Sequence, residues 1–199
     1  MSEQPNLKEL LSDSSKLHYE FPMKNRPARY KELCLYIADA CVDDPTFSKV
    51  KLLKILFYSD FESYGLYREP ITGVPYKKLP YGPCPVDFER LQEEMVRERL
   101  IHIHREPVRD FERQRSLPLR APTFEYLSAR DLHVVHRWIR FFWKMSSRKV
   151  SEYSHGLAWK VASLGERIPY EAVFISDEPI TFEDAEMVKE LAAKYGWKL

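Results

Sequence analysis

The fold is decided by the stretch TFSKVKLLKILFYSDFESYGLY, Thr46–Tyr67. When its side chains are placed at about 100° per residue, apolar residues cover almost the whole circumference. One side carries Val50, Leu53, Phe57, Phe61 and Tyr64, and the remaining sides carry Leu52, Ile55 and Leu56. Either Thr46 or Ser48 can cap its start. A helix that is apolar all round is buried, so the sequence predicts a central, buried helix.

Two charged residues, Lys54 and Asp60, fall on faces of this helix that are otherwise apolar. An unpaired buried charge is strongly destabilising, so each side chain needs a partner if it is enclosed. In one interpretation Lys54 extends its aliphatic stem along the aromatic surface, and Asp60 either caps or pairs with a group nearby. In the other, both residues help to present a polar surface to a partner.

Further helices are predicted around the central one, from apolar residues at helical spacing and from capping residues. The first begins at Arg29 and ends before the segment DDPT, residues 43–46. The others cover residues 85–100, 128–146, 147–163 and 181–196. Thr181 and Asp184 form a capping box for the last helix, and Gly196 ends it.

The proline-rich segment ITGVPYKKLPYGPCPVDF, Ile71–Phe88, predicts a different local structure. It alternates weakly, and Pro75 and Pro80 argue against a place at the centre of a sheet. We therefore predict an edge strand over Val74–Leu79, followed by a tight turn at Tyr81–Pro83.

The chain is predicted to form a mainly α (α+β) fold: a single compact helical domain around a buried central helix, with a small β-sheet or hairpin. Residues 100–105 and 111–117 are the two strands expected around a second turn. Residues 1–28 are polar and predict a loosely ordered N-terminal lead-in, and residues 29–199 form the domain. One domain fits a length of 199 residues.

The composition is typical of a cytoplasmic protein. The formal net charge of +1 argues against a surface devoted wholly to nucleic acid or membrane. The three cysteines form no CxxC pair and fit free thiols in a reducing compartment. No apolar run approaches the roughly 18–20 residues needed to cross a bilayer. We therefore expect a protein of the cytoplasm that does not enter a membrane.

The sequence contains no recognisable catalytic motif. There is no GxSxG, and the cysteines lie in no catalytic signature. His133, His136 and His155 would allow a metal-dependent enzyme, yet no HExxH motif or carboxylate cluster accompanies them. The segment Tyr81–Pro85 is a poor phosphate cradle, because its prolines lack N–H groups. We predict no enzyme activity, no metal and no cofactor.

Charge is distributed unevenly along the chain. Residues 130–149 carry six Lys or Arg against one Asp, and residues 171–190 carry seven acidic residues against one Lys. One interpretation is a solvated basic face, partly neutralised by the acidic end of the same chain. The other is a docking stripe for an acidic protein or a nucleic acid, built on Arg137, Arg140 and Lys144. A nucleic-acid-associated regulator is therefore an alternative function, although the chain lacks an overall basic excess and a recognition motif.

Two separated segments resemble a known family. The first runs from KLLKILFYSDFESYG to ITGVPYKKLPYGPCPVDFERL, with matching residues Lys51, Leu52, Leu53, Lys54, Phe57, Tyr58, Asp60, Thr72, Gly73, Tyr81, Gly82 and Pro83. The second, VSEYSHGLAWKVA followed by ERIPYEA, matches at Ser154, His155, Trp159, Ile168, Pro169 and Tyr170. Together they are similar to the Panacea (SocA-like) antitoxin domain of bacteria and phages, over about Arg29–Ser176.

The resemblance implies a mostly helical fold with a small β element and no catalytic activity. It implies a type II antitoxin that neutralises a cognate protein toxin by direct binding, or an adaptor that delivers the toxin to a protease complex. It does not identify the toxin or the oligomeric state. Tyrosine and arginine are favoured interface anchors, and prolines lower the ordering cost of a contact. The residues expected to contact the partner are Lys51, Lys54, Tyr58, Asp60, Tyr76, Lys77, Lys78, Tyr81, Arg137, Arg140, Lys144, His155 and Trp159.

Overall fold

A computed structural model describes residues 17–108, 111–160 and 162–175. Along the chain its elements are α1 (Arg26–Ala40), α2 (Lys49–Tyr67), β1 (Tyr76–Leu79), β2 (Gly82–Pro85), α3 (Phe88–Arg97), β3 (Ile101–Val108), β4 (Phe111–Pro118), α4 (Ala129–Phe142), α5 (Ser147–Tyr153), α6 (Leu157–Lys160), β5 (Arg167–Ile168) and a 3-10 helix (Tyr170–Phe174). The fold is α+β and mainly helical, with small antiparallel sheets, which confirms the predicted class.

Helix α2 is the centre of the fold, as predicted. Ser48 caps its start, and its hydroxyl accepts a hydrogen bond from the Lys51 backbone N–H at 3.2 Å. Leu52, Ile55 and Leu56 are almost completely buried. Helices α1, α4 and α5, strand β2 and the 3-10 helix all pack against α2. The apolar circumference of this helix is therefore covered by elements from both halves of the chain.

The first sheet has the order β2-β1-β5, so β1 is its central strand. The prediction of an edge strand over Val74–Leu79 was therefore wrong. Pro75 and Pro80 flank the strand and leave the N–H groups of Tyr76–Leu79 available for pairing on both sides. Strand β2, which contains two prolines, takes the edge position that such residues require.

Strands β3 and β4 form the predicted hairpin, with Ile101 opposite Pro118 and Val108 opposite Phe111. The hairpin packs on α1 and α3. Arg115 also donates a hydrogen bond to the Val42 carbonyl at 2.9 Å, which fixes the hairpin to the segment between α1 and α2.

The predicted helix over residues 128–146 begins as expected but is shorter. Ser128 caps α4 in a capping box with Asp131, and the helix ends at Phe142. The predicted helix over residues 147–163 is divided, because α5 ends at Tyr153 and α6 begins at Leu157. The intervening Ser154-His155-Gly156 turn lies beside the β1–β2 loop.

The first helix, predicted to begin at Arg29, starts earlier in the structure. Helix α1 begins at Arg26, with Pro27 in its first turn. Before it, the Phe21 N–H donates to the Gly73 carbonyl at 2.9 Å, and His18 accepts from the Tyr170 N–H at 2.8 Å. Residues 18–25 are therefore bonded to the fold. Residues 1–16 and the predicted helix over residues 181–196 lie outside the described residues.

Candidate functional site: the Tyr81 loop and its support

The β1–β2 loop turns at Pro80 and Tyr81, and we call it the Tyr81 loop. The Tyr81 side chain is 75% exposed, whereas Tyr76, five residues earlier, is fully buried. Prolines on both sides of the turn limit the backbone, and Ser151 of α5 donates a hydrogen bond to the Tyr81 carbonyl at 3.0 Å. The loop therefore holds one exposed aromatic side chain on a fixed backbone.

Lys54 supports this loop from inside the protein. Only 2% of the residue is exposed, and its Nζ donates to the Pro83 carbonyl at 2.7 Å. Burial lowers the pKa of Lys54 to about 8. Within the described ranges no carboxylate bonds to this ammonium group, so the backbone carbonyl of the loop is its hydrogen-bond partner.

Only glycine fits well at position 82, at the end of the turn, because of its backbone conformation and because neighbouring side chains leave no room for a Cβ. Its φ of +98° is one that residues with a side chain rarely adopt. A Cβ at this position would overlap the Ser154 hydroxyl and lie 2.7 Å from Lys54 Cε. The Tyr-Gly-Pro sequence, Lys54 and Ser154 therefore form one tightly packed unit, although they come from three separate segments.

Asp60 holds the residues that lead into β1. It accepts hydrogen bonds from the Thr72 N–H at 2.7 Å, from the Tyr76 hydroxyl at 2.8 Å and from the Thr72 hydroxyl. Burial raises the pKa of Asp60 to about 6, even though these donors favour the carboxylate. The interpretation that Asp60 pairs with nearby groups is confirmed by these bonds.

Lys51 is buried at the start of α2, where its Nζ lies 2.6 Å from Asp44 and 2.6 Å from the Thr46 hydroxyl. Burial lowers the pKa of Lys51 despite this pairing. The ion pair closes the loop between α1 and α2, which gives Lys51 a structural role.

Helix α6 supports the loop from the other side. The Trp159 indole N–H donates to the Leu79 carbonyl at 3.0 Å. The Lys78 ammonium lies 3.9 Å from the centre of the Trp159 ring and donates to the Ala162 carbonyl at 2.9 Å. The His155 ring stacks on Trp159 with a centroid distance of 4.2 Å. Trp159 thus contacts Lys78 and Leu79 of β1 on one side and His155 on the other.

A surface cavity of about 660 Å³ lies beside Tyr81. Val50, Pro80, Tyr81, Ser151 and His155 contribute to its lining. Charged side chains of both signs complete the rim: Lys49, Arg113, Arg148, Glu112 and Glu152. We call this cavity and the exposed Tyr81 ring the Tyr81 face. Sequence reasoning missed the residues that α5 and β4 contribute, because nothing near them in the sequence indicates this neighbourhood.

The basic stripe predicted on α4 is less continuous than expected. Arg137 pairs with Glu62, and Arg130 pairs with Glu69 at 3.1 Å. Arg140 is exposed, and Lys144 lies beyond the end of the helix with a φ of +58°. Two of the arginines therefore have their charge neutralised by α2 and the residues that follow it, and Lys144 does not extend the helical face.

The candidate residues divide into three groups by position. The interior candidates are Lys51, Lys54, Asp60 and Tyr76. They cannot contact a partner while the domain is folded. The half-buried candidates are Tyr58, Lys77, Lys78, His155 and Trp159. Tyr58 lies in an aromatic cluster, stacked on Trp138 with a centroid distance of 4.3 Å. The most exposed candidates are Tyr81, Arg137, Arg140 and Lys144, and partner contact stays a prediction for them.

The described residues provide neither a metal-binding cluster nor a membrane-spanning helix. In the part of the chain that the structure describes, no three His, Cys, Asp or Glu side chains come together as a metal-binding group. Over the same residues, no helix combines the length and apolarity that crossing a membrane requires.

Comparison with known proteins agrees with the resemblance seen in the sequence. Neither the curated proteins nor the solved structures gave a match. A family model described as "Antitoxin SocA-like, Panacea domain" matches residues 52–160, more than half of the chain. The matched range includes α2, the Tyr81 loop and the α5–α6 segment that supports it. The chain therefore belongs to the SocA-like antitoxin family with the Panacea domain.

Proposed function

We propose that this chain is the antitoxin of a type II toxin–antitoxin system and neutralises a cognate protein toxin in the cytoplasm by direct binding. The chain acts in this proposal as a binding protein and not as an enzyme. The observation that carries the proposal is the match to the antitoxin family over residues 52–160, the range that contains the Tyr81 loop and its supports.

The toxin is proposed to bind at the Tyr81 face. Exposed tyrosines beside a well-packed pocket are typical anchors of protein interfaces. Binding there loses little conformational entropy, because Lys54, Ser151 and Trp159 already hold the backbone of the loop. The buried candidates thus contribute to toxin binding indirectly, because they fix the loop that carries Tyr81.

The charges around the face favour a protein partner over a nucleic acid. Glu112 and Glu152 lie among the basic residues of the cavity rim, and carboxylates repel phosphate groups. On α4, Arg130 and Arg137 are already paired with glutamates. A nucleic-acid-associated regulator using helix 130–149 therefore has less support than a toxin-binding protein.

Co-expression with the protein encoded by the adjacent gene tests the proposal. Expression of that neighbour alone is expected to arrest growth, and the wild-type chain is expected to restore it. The variant Tyr81→Asp should lose the rescue, whereas Tyr67→Asp, at a tyrosine that is 43% exposed elsewhere on the surface, should keep it. Failure of the wild-type chain to rescue growth or to co-purify with its neighbour would contradict the proposal.

The same assay separates masking from delivery to a protease. If binding alone neutralises the toxin, rescue persists in hosts that lack individual cytoplasmic proteases, and the toxin accumulates in the complex. If the chain is an adaptor, the toxin disappears in normal cells and rescue fails in one protease-deficient host.

A further inference from the structure

A second surface cavity, of about 650 Å³, lies between α2 and α4, and we call it the α2–α4 groove. Leu66, Trp138, Leu157, Trp159 and Val173 contribute to its lining, and it shares no lining residue with the Tyr81 cavity. Leu66 is 58% exposed. An apolar groove of this kind can accept the apolar face of an amphipathic helix.

The described chain ends in the wall of this groove. The 3-10 helix is fixed there, because the Tyr170 hydroxyl donates to the Val74 carbonyl at 2.8 Å and the Tyr64 hydroxyl donates to Glu171 at 2.5 Å. Ile175, the last described residue, is one of the groove-lining residues. Whatever follows Ile175 therefore starts at the groove.

The sequence that follows has the pattern of an amphipathic helix. At helical spacing, one arc of residues 181–195 carries Ala185, Val188, Leu191, Ala192 and Tyr195, and the opposite arc carries Glu183, Glu186 and Glu190. A helix of this length is about 22 Å long. Residues 176–180 can span up to roughly 17 Å when extended, which is enough for the chain to turn back along the groove.

The charges of the two parts are complementary. Residues 176–199 carry six acidic residues and three lysines. Arg137 and Glu62 both line the groove and pair with each other. Two further arginines lie nearby: Arg140 is three residues further along α4, and Arg68 lies over the Phe174 ring at 4.0 Å. Because Arg137 and Glu62 offset each other, Arg140 and Arg68 provide the positive charge that favours the approach of an acidic segment over that of a basic one.

From these observations we propose that residues 176–199 fold back as an amphipathic helix and occupy the α2–α4 groove of their own chain. The apolar arc packs on the groove, and the acidic arc faces solvent and the surrounding arginines. The groove is then filled by the chain itself, while the Tyr81 cavity stays open. This inference does not depend on what binds at the Tyr81 face.

Hydrogen exchange of the full-length chain tests the proposal. Isolated helices of this length are marginal in water, so slow exchange of amides 185–195 requires docking. In the wild type we expect these amides to exchange at least about tenfold more slowly than in an unstructured peptide. Exchange of the α2 amides serves as the measure that each variant remains folded.

Two matched pairs of variants decide where the segment docks. Ala192→Asp places a charge on the apolar arc, and Ala193→Asp makes the same change on the polar side. Leu66→Asp alters the groove, and Tyr67→Asp alters an exposed neighbour that is not part of its lining. The protection should be lost in Ala192→Asp and Leu66→Asp and kept in the other two.

Three outcomes would overturn the inference. Fast exchange of amides 185–195 in the wild type would show that the segment does not dock. Protection that survives Leu66→Asp would place the segment elsewhere. Protection that increases with protein concentration, together with a dimer mass, would show that the groove holds the segment of a second copy.

Discussion

Replacement of Gly82 by alanine is the sharpest test of how the Tyr81 loop is supported. The backbone φ of +98° is strained for any residue with a side chain, at a cost of about 1–3 kcal/mol. The new Cβ would also overlap the Ser154 hydroxyl and press on Lys54. If Lys54 is displaced, its hydrogen bond to the Pro83 carbonyl weakens. Loss of a buried hydrogen bond from a charged group lowers the unfolding free energy by a further ~1.5–3 kcal/mol.

The expected loss of unfolding free energy for Gly82→Ala is therefore about 3–5 kcal/mol, which is exceptional for a single substitution. Urea unfolding at neutral pH measures it. The matched control is Gly156→Ala, because Gly156 has no restricted φ and no atom within 4 Å of an added Cβ. In the double variant Gly82→Ala/Ser154→Ala, about 1 kcal/mol should return, since one of the two clashes is removed. If Gly82→Ala were no more destabilising than Gly156→Ala, the packing of Gly82 against Ser154 and Lys54 would not matter for stability.

Three further substitutions test the buried charges, each by chemical unfolding. The pKa of Lys54 is lowered to about 8, so its ammonium form destabilises the fold. Relative to Lys54→Met, the unfolding free energy of the wild type should therefore rise by up to about 3 kcal/mol between pH 8 and pH 10.5. A difference that does not change with pH would contradict this. The pKa of Asp60 is raised to about 6, so its carboxylate form is disfavoured in the fold. Relative to Asp60→Asn, the unfolding free energy of the wild type should therefore fall as pH rises from about 4 through 6. An unfolding free energy that rises over this range would show that burial does not dominate at Asp60. Lys51→Met should lower the unfolding free energy by about 3–5 kcal/mol, because it leaves the Asp44 carboxylate buried without its partner. The double variant Lys51→Met/Asp44→Leu should recover part of that loss. If the losses of the two single variants simply added in the double variant, the ion pair would not contribute to stability.

The central helix was predictable because its signal is local. An apolar residue on every side of Lys49–Tyr67 requires burial, whatever surrounds the helix. The same holds for Ser128, whose capping box with Asp131 is encoded within four residues. The β3–β4 hairpin was also predicted from neighbouring segments. In all three cases the interactions that form the element lie close together in the sequence.

The position of β1 could not be predicted, because its second partner is distant. Strand β5 has two residues, Arg167–Ile168, and is too short to recognise from a pattern. Prolines at both ends of β1 suggested an edge strand, yet they exclude only the positions they occupy. The break between Tyr153 and Leu157 was missed although Gly156, a poor helix former, marks it in the sequence.

The candidate site shows the same division. A tight turn at the proline-rich segment was predicted from its own residues, but the sequence did not separate the buried Tyr76 from the exposed Tyr81. Burial of Lys51 and Lys54 likewise depends on acceptors supplied by other segments, Asp44 and the Pro83 carbonyl. Lysine on an apolar helix face is compatible with either outcome from sequence alone.

Calorimetric titration of the purified chain with the purified product of the adjacent gene measures whether the two proteins bind through the Tyr81 face. We expect a complex with a Kd below about 1 μM. Tyr81→Ala should weaken it by about thirtyfold, the effect of removing an anchor worth about 2 kcal/mol, while Tyr67→Ala should change it by less than about threefold. Absence of binding, or equal affinities for the wild type and Tyr81→Ala, would contradict the assignment of the Tyr81 face as the toxin-binding surface.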